Sequence, residues 1–247
     1  MSHHWTHDQL LELKRFNTPS IANALEFCSS RSPLDGFNRD ETCDFMPHMG
    51  AMVGHVVTAE YRATKPVTPG QWDEPQLMSV LEASPKPSIV VIRDVDSPDG
   101  IVGAPWGECM SNVCRAFGVV GTVTDGAIRD YDEMLNAGVH ALARRLCVSH
   151  GYGHICSVAE PVEVFGTTVQ TGDIIHADRH GFMVLPDDVG PELIEMAHCL
   201  DRGEIKHIIA PSRQAGYTAK KWEQGVSAFV SSLAEAGFKK KSSQGIQ

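Results

Sequence analysis

The stretch from residue 89 to residue 148 alternates short apolar runs with helical segments closed by glycine, and no other feature constrains the fold as tightly. Ile89–Ile92 is a compact apolar strand running into Arg93-Asp94. Residues 106–118 read as a helix ending on Gly118, and VVGTVTDG (119–126) as a buried strand followed by a turn. Residues 129–138 make a second helix with Gly138 as its C-terminal stop, and 139–148 are again strand-like. The expectation is a mixed α/β domain with a compact β-core flanked by helices.

The flanking segments add elements to that core. Thr6 is placed to cap a short helix carrying Leu10, Leu11 and Leu13, and Thr18-Pro19-Ser20 restarts a helix through Ile21, Ala24, Leu25 and Phe27. Residues 29–50 show little periodicity and read as an irregular connection, whereas 51–63 are strand-like. Residues 64–88 hold five of the 14 prolines and are expected to wrap the surface around a short helix. After a Gly/His-rich loop, PVEVFGTTV and DIIHADRHGFMVL give short strands joined by turns. Two helices close the chain, the last with Trp222, Val226, Phe229, Val230 and Leu233 at helical spacing. No repeat or long linker divides the sequence, so a single domain over 1–238 and a disordered tail over 239–247 are expected.

Composition narrows the function classes. In 247 residues, 42% are hydrophobic and 21% charged, which excludes a disordered or fibrous chain and leaves ample core for folding. The net charge of −10 argues against a nucleic-acid groove or an anionic membrane surface as partner. No apolar run approaches a membrane span, and the first residues lack the apolar core of a signal peptide. The seven cysteines include no Cys-x-x-Cys pair, so reduced thiols in a cytoplasmic protein are expected.

The chemistry concentrates in 106–130. Two junctions into helices fall here, at Trp106-Gly107-Glu108-Cys109-Met110 and at Thr124–Asp130. A helix start presents unpaired N–H groups and the positive end of the peptide dipoles, a natural cradle for a carboxylate. Arg129 adds a planar, permanently charged fork that can grip a carboxylate or a developing enolate. Asp130 and Glu108 are hard oxygen ligands of the kind Mg²⁺ and Mn²⁺ take. By spacing alone, an Arg-Asp pair at a turn also serves as a surface ion pair or a helix cap.

The run GECMSNVCRAFGVVGTVTDGAIRD (107–130) resembles the signature of the RraA-like family: a Gly-acidic dipeptide opening a helix, then Arg-Asp after twenty intervening residues. Thr18-Pro19-Ser20-Ile21-Ala22-Asn23-Ala24-Leu25 is similar to the family's N-terminal helix, and VFGTTVQTGDIIHADRHGFMVLP (164–186) to its Gly-x-x-Val-x-x-Gly-Asp-Ile turn and following strand. That family includes divalent-metal-dependent class II pyruvate aldolases, such as 4-hydroxy-4-methyl-2-oxoglutarate aldolase. The resemblance implies a swivelling α/β/β/α domain and a homotrimer or homohexamer. It implies that Asp130 anchors the divalent cation, that Arg129 contacts the keto acid and stabilises the enolate, and that backbone N–H groups of Gly107, Glu108, Cys109 and Met110 hold the pyruvyl carboxylate. Glu108, standing where aldolase members usually carry Asp, would orient water on the cation. The cofactor implied is Mg²⁺, Mn²⁺ or another divalent cation. No lysine Schiff base is required.

The implied reaction is retro-aldol cleavage of a 4-hydroxy-2-oxo acid, with oxaloacetate decarboxylation as a side reaction through the same pyruvate enolate. The alternative is a non-catalytic, protein-binding regulator of the ribonuclease-inhibitor type, which the family also contains. A third class, a metal hydrolase built on Cys147, His150, His154, Cys156, His176, Asp178 and His180, lacks zinc-ligand spacing. The 149–156 loop could instead reach the Arg129-Asp130 cleft and select substrates.

Overall fold

Four strands of the core are apolar on both faces, the mark of strands covered from both sides. In the computed structural model, which describes residues 5–68, 70 and 73–241, the chain order is as follows. Helices α1 (His7–Leu13) and α2 (Thr18–Cys28) precede β1 (Cys43–Asp44) and β2 (Met52–Arg62). Then come α3 (Glu74–Ala83), β3 (Ser88–Asp94), α4 (Glu108–Ala116), β4 (Val119–Ile128), α5 (Tyr131–Ala137) and β5 (His140–Leu146). Five short strands follow: β6 (His154–Val158), β7 (Val162–Val164), β8 (Thr167–Val169), β9 (Ile174–Asp178) and β10 (Gly181–Val184). The chain continues through α6 (Glu192–Glu204), a π-helical turn over Ile205–Ile209, α7 (Ala210–Ser212) and α8 (Ala219–Glu235). The chain divides into two compact units, Gly36–Leu185 and the described residues on either side of it.

In the central unit β2, β3, β4 and β5 pair in parallel, with α3, α4 and α5 as the successive crossovers. The sheet order is β1-β5-β4-β3-β2-β9-β10. Strand β2 divides its other edge between two antiparallel partners: residues 52–55 pair with β9 and 59–62 with β6. Alternation then sorts the side chains. Val90, Ile92, Ala141 and Ala143 face Leu77 and Leu81 of α3, Cys114 of α4 and Met134 of α5. Ile89, Val91, Val123 and Leu142 face the β7–β8 hairpin with Val162, Val164, Phe165 and Val169. This is the expected α/β core: a helix layer on one face of the sheet and a hairpin on the other.

Two expectations need correction, and both bear on the site. Strand β4 does not turn at Asp125-Gly126; it runs on to Ile128 through a register shift between Thr124 and Ala127. Helix α5 starts at Tyr131, so Arg129 and Asp130 lie in the connection, not in a helix. Gly126 explains the first point, because a Cβ there would lie 2.7 Å from Asp94 Oδ2. The strand keeps going where only glycine fits, and a glycine beside an aspartate reads as a turn in sequence.

The flanking unit is helical. Thr6 and Gln9 form a capping box on α1, and Asn17 caps α2 by accepting the Ser20 N–H at 2.8 Å. Helices α2 and α6 pack together, and Asp188 accepts the hydroxyls of Ser29 at 2.7 Å and Ser30 at 2.8 Å. Lys240 pairs with Glu26, and Lys241 Nζ donates to the Cys28 carbonyl at 2.7 Å. The rest of the tail expected over 239–247, residues 242–247, lies outside the described residues. All seven cysteines are free thiols, with Cys28 and Cys114 buried.

Candidate active site

The site is assembled by a single return of the chain. From Gly107 the backbone makes the nine residues of α4, turns at Gly118 with φ +80°, and comes back along the ten residues of β4. Trp106, fully buried, bridges Ile128 in parallel register, and the Arg129 N–H donates to the Trp106 carbonyl at 3.0 Å. The twenty-residue spacing between Glu108 and Arg129 is therefore the length of one helix, one turn and one strand. It places Arg129-Asp130 against the first turn of α4.

Contact at that junction is close. Asp130 Oδ2 accepts the Glu108 N–H at 3.1 Å and lies 3.7 Å from Arg129 Nε. A Cβ on Gly107 would stand 2.5 Å from Asp130 Oδ2 and 3.1 Å from Arg129 Nε, so glycine is required by the approach of both side chains. Asp130 itself has φ 52° and ψ 49°, a left-handed conformation that few residues other than glycine adopt without cost. Its carbonyl starts α5 by accepting the Met134 N–H at 2.8 Å. The side chains of Arg129 and Asp130 remain 35% and 37% exposed, enough to meet a ligand. The N-cap residue Gly107 has no side chain to cap α4, and with the Glu108 N–H taken by Asp130 the Cys109 and Met110 amides are left as first-turn donors.

Two hollows meet at Arg129. The first, of about 330 Å³, is lined by Gly107, Glu108, Cys109, Met110 and Arg129, so it collects the residues of the expected carboxylate cradle and the arginine expected to contact the keto acid. Tyr61, Glu74, His150 and Gly153 also line it. The second, of about 360 Å³, contains Asp130 together with Arg129, Tyr131, Arg145 and Val148. No lysine is among the residues lining either hollow. Sequence reasoning places the 149–156 loop near this cleft, and His150 and Gly153 do line it. It does not single out Tyr61, Glu74 or Met78: Tyr61 looks like an ordinary strand aromatic, and Glu74 and Met78 sit on a short helix inside a proline-rich segment.

The electrostatics separate groups that can exchange protons from groups that cannot. The Tyr61 hydroxyl donates to the His150 carbonyl at 2.8 Å, and burial raises its pKa, with nearby Asp94 adding to the effect. It stays a neutral donor. Asp94, the last residue of β3, and Asp125, inside β4, are raised by burial, Asp94 to about 6. Neither lines the two hollows. Among the described residues no group of three or more His, Cys, Asp or Glu converges as a metal cage. His154 and His176 are buried in β6 and β9, and His180 is taken up by Asp178 Oδ1 at 3.0 Å. Magnesium is held by one or two carboxylates with the remaining positions left to water and substrate. The part-exposed Asp130 carboxylate is a donor of that kind; it meets Glu108 through the Glu108 backbone N–H, while the Glu108 residue lines the first hollow.

The model of one known family, described as RraA-like: Aldolase/RraA, matches residues 18–184. A putative 4-hydroxy-4-methyl-2-oxoglutarate aldolase of Halalkalibacterium halodurans is 28% identical over 123 residues, 49% of this chain and 56% of that protein. Matches to two other curated relatives cover 21% and 50% of their lengths, so the chain spans about half or less of several curated relatives. Among solved structures, an uncharacterized protein from Pseudomonas syringae pv. tomato superposes with a TM-score of 0.68 at 24% identity, covering 92% of this chain and 96% of that one. Streptomyces coelicolor RraAS2, an unusual member of the RNase ES inhibitor RraA protein family, gives 0.57 at 18% identity, covering 85% and 99%. These likenesses are in fold. No helix among the described residues is long and apolar enough to cross a membrane. With two thirds of its length under the family pattern, and the Gly-acidic and Arg-Asp pairs side by side in space, this chain belongs to the RraA-like family.

Proposed function

We propose that the protein is a divalent-metal-dependent carbon–carbon lyase that cleaves a 4-hydroxy-2-oxo acid to pyruvate or a related 2-oxo acid, with oxaloacetate decarboxylation as a side reaction. The observation that carries this reading is the first hollow, which the start of α4 and Arg129 line together and which meets at Arg129 the hollow that holds Asp130. The amides of Cys109 and Met110 hold the substrate carboxylate, aided by the helix dipole. Arg129 would meet the negative charge that collects on the 2-oxo oxygen as the C3–C4 bond breaks, and a preorganised cation there is worth more to the transition state than to the substrate. With no lysine in the wall, an imine route has no nucleophile here.

Asp130 would hold the cation and Glu108 would orient water on it; the cation's chemistry is to polarise the 2-oxo group as a Lewis acid. Gly107 keeps Asp130 in place by having no Cβ. On this reading the chain works as a trimer or a pair of trimers, as its family resemblance implies.

The test is pyruvate release from oxaloacetate and from 4-hydroxy-2-oxo acids, with Mg²⁺, with Mn²⁺ and with EDTA, for wild type and Asp130→Ala. Wild type should release pyruvate only with the cation. Asp130→Ala should lose both activity and cation dependence while keeping a cooperative melt, lowered by the roughly 0.5–2 kcal/mol typical of a lost helix cap. Wild-type turnover in that variant ends the metal assignment. A wild type inert on every substrate favours the protein-binding reading instead.

A further inference from the structure

Two helices each turn one face into the first hollow. Helix α3 supplies Glu74 and Met78, and α4 supplies Cys109 and Val113. Both pairs are four residues apart, hence neighbours on one helix face. Ile155 of β6 and the Ala104-Pro105 segment belong to the same wall. Val113 is 45% exposed and Met78 partly exposed, so both leave apolar surface open to a ligand.

Charge in this hollow is unevenly supplied. Arg129 is the one permanent cation among the described residues that line it, whereas Glu74 and Glu108 are both carboxylates. Glu74 is held in place, its Oε1 accepting the Ile155 N–H at 2.9 Å. On the lyase reading Arg129 and the Cys109 and Met110 amides are taken by the pyruvyl end of the substrate. A second carboxylate would then sit in a partly apolar space beside two groups of its own sign, without a cation to pair with. The adjoining hollow has one further arginine, Arg145, whose two terminal nitrogens donate to the carbonyls of Ile101 at 2.6 Å and Leu146 at 3.2 Å.

We propose that the substrate carries an uncharged, apolar group beyond C4, and that Val113 and Met78 select it against a second carboxylate. The inference rests on the lyase reading and names its substrate class. An alkyl group lying against Met78 and Val113 takes apolar surface of both partners out of water. The hollow, at about 330 Å³, is at the small end of the roughly 300–1,000 Å³ usual for ligand pockets, which suits a short chain. The O–H pair of the 4-hydroxyl becomes the new carbonyl bond at C4, the C3–C4 pair passes to the enolate, and one proton ends on C3. The products are pyruvate and an uncharged aldehyde, and no other reactant is consumed.

The experiment uses a matched pair of substrates, 4-hydroxy-2-oxohexanoate and 4-hydroxy-2-oxoadipate, which differ only in ending on a methyl group or a carboxylate. Pyruvate release is followed on the full chain with saturating Mg²⁺ at pH 8, where an ordinary imidazole is neutral and adds no second cation. Wild type should favour the hexanoate in kcat/KM on the order of 10–10²-fold. Val113→Arg should lower that ratio about tenfold or more, chiefly by raising kcat/KM for the adipate, and the uncharged Val113→Gln should not raise it. Met78→Lys makes the same comparison from α3 and decides the matter if the arginine variant does not fold. An equal or reversed preference in the wild type overturns the assignment and leaves the lyase reading standing. So does a ratio that neither basic variant shifts, or a gain on the adipate as large with glutamine as with arginine. Pyruvate from oxaloacetate but from neither six-carbon acid overturns the substrate class. No pyruvate from any of the three overturns the lyase reading as well.

Discussion

Arg129 is placed by a backbone hydrogen bond and not by an ion pair. Its N–H is fixed on the Trp106 carbonyl, while its side chain lies 3.7 Å from Asp130 and a third exposed. Exposed pairs of that kind contribute about 0–1 kcal/mol, so stability does not explain an arginine here. The proposed chemistry does. Arg129→Lys keeps the charge and loses the planar fork, and steady-state kinetics on oxaloacetate with saturating Mg²⁺ should show kcat lowered on the order of 10²–10³-fold, with a smaller change in KM. Near-wild-type turnover in the lysine variant would return Arg129 to a structural role. At this scale Gly107, Glu108, Arg129 and Asp130 were singled out by the resemblance to the family signature, since their spacing alone fits a surface ion pair or a helix cap as well. Glu74 was not, because nothing in a proline-rich segment shows that one carboxylate oxygen will be buried without a donor.

At the scale of the element, the site is the α4–β4 return, and Gly107 is where it is tightest. Its φ of −160° is open to any residue, so alanine brings no backbone strain, only a Cβ 2.5 Å from the Asp130 carboxylate. Gly107→Ala should therefore fold and melt close to wild type, while kcat/KM falls roughly 10²-fold, the usual cost of a displacement of about 1 Å in an active site. Activity unchanged in that variant would mean that Asp130 can move without consequence. Helical periodicity was a good guide to existence and a poor one to cover. The apolar residues Trp222, Val226, Phe229, Val230 and Leu233 do lie on α8, yet Trp222 and Val230 are more than half exposed and only Leu233 is buried. Periodicity says which face of a helix is apolar, and nothing about what sits against it. The expected turn at Asp125-Gly126 failed for a related reason: the glycine serves a close approach of Asp94 from the neighbouring strand.

For the whole molecule, the same buried aspartate makes stability depend on pH. Asp94 is raised from 3.8 to about 6, chiefly by burial, and its Oδ2 has no donor among the described residues. The native state thus keeps a proton that the unfolded chain gives up near pH 4. Asp94 contributes most below that point, and its contribution is lost as pH rises through about 6. The full span is roughly 3 kcal/mol at 1.36 kcal/mol per pH unit of displacement. Asp96 and Asp188, lowered mainly by backbone and hydroxyl donors against the desolvation of their sites, slope the other way, so the wild-type profile alone is not diagnostic. Asp94→Asn removes one slope only, and denaturant titrations at pH 4 and pH 7 should show its stability relative to wild type rising between them by roughly that amount. A flat difference would place the Asp94 pKa near its ordinary value. The sequence by itself determined the α/β class and the alternation of strands and helices, because these follow from local periodicity and chain length; the pairing of Gly107-Glu108 with Arg129-Asp130 was expected from the family resemblance. Only the tertiary structure decided that β4 runs through Gly126, that Asp130 is left-handed against Gly107, and that Glu74 and Tyr61 from other elements complete the cleft. Those outcomes depend on atoms far apart in the chain excluding or accepting one another in space, and such contacts leave no periodic trace in the sequence.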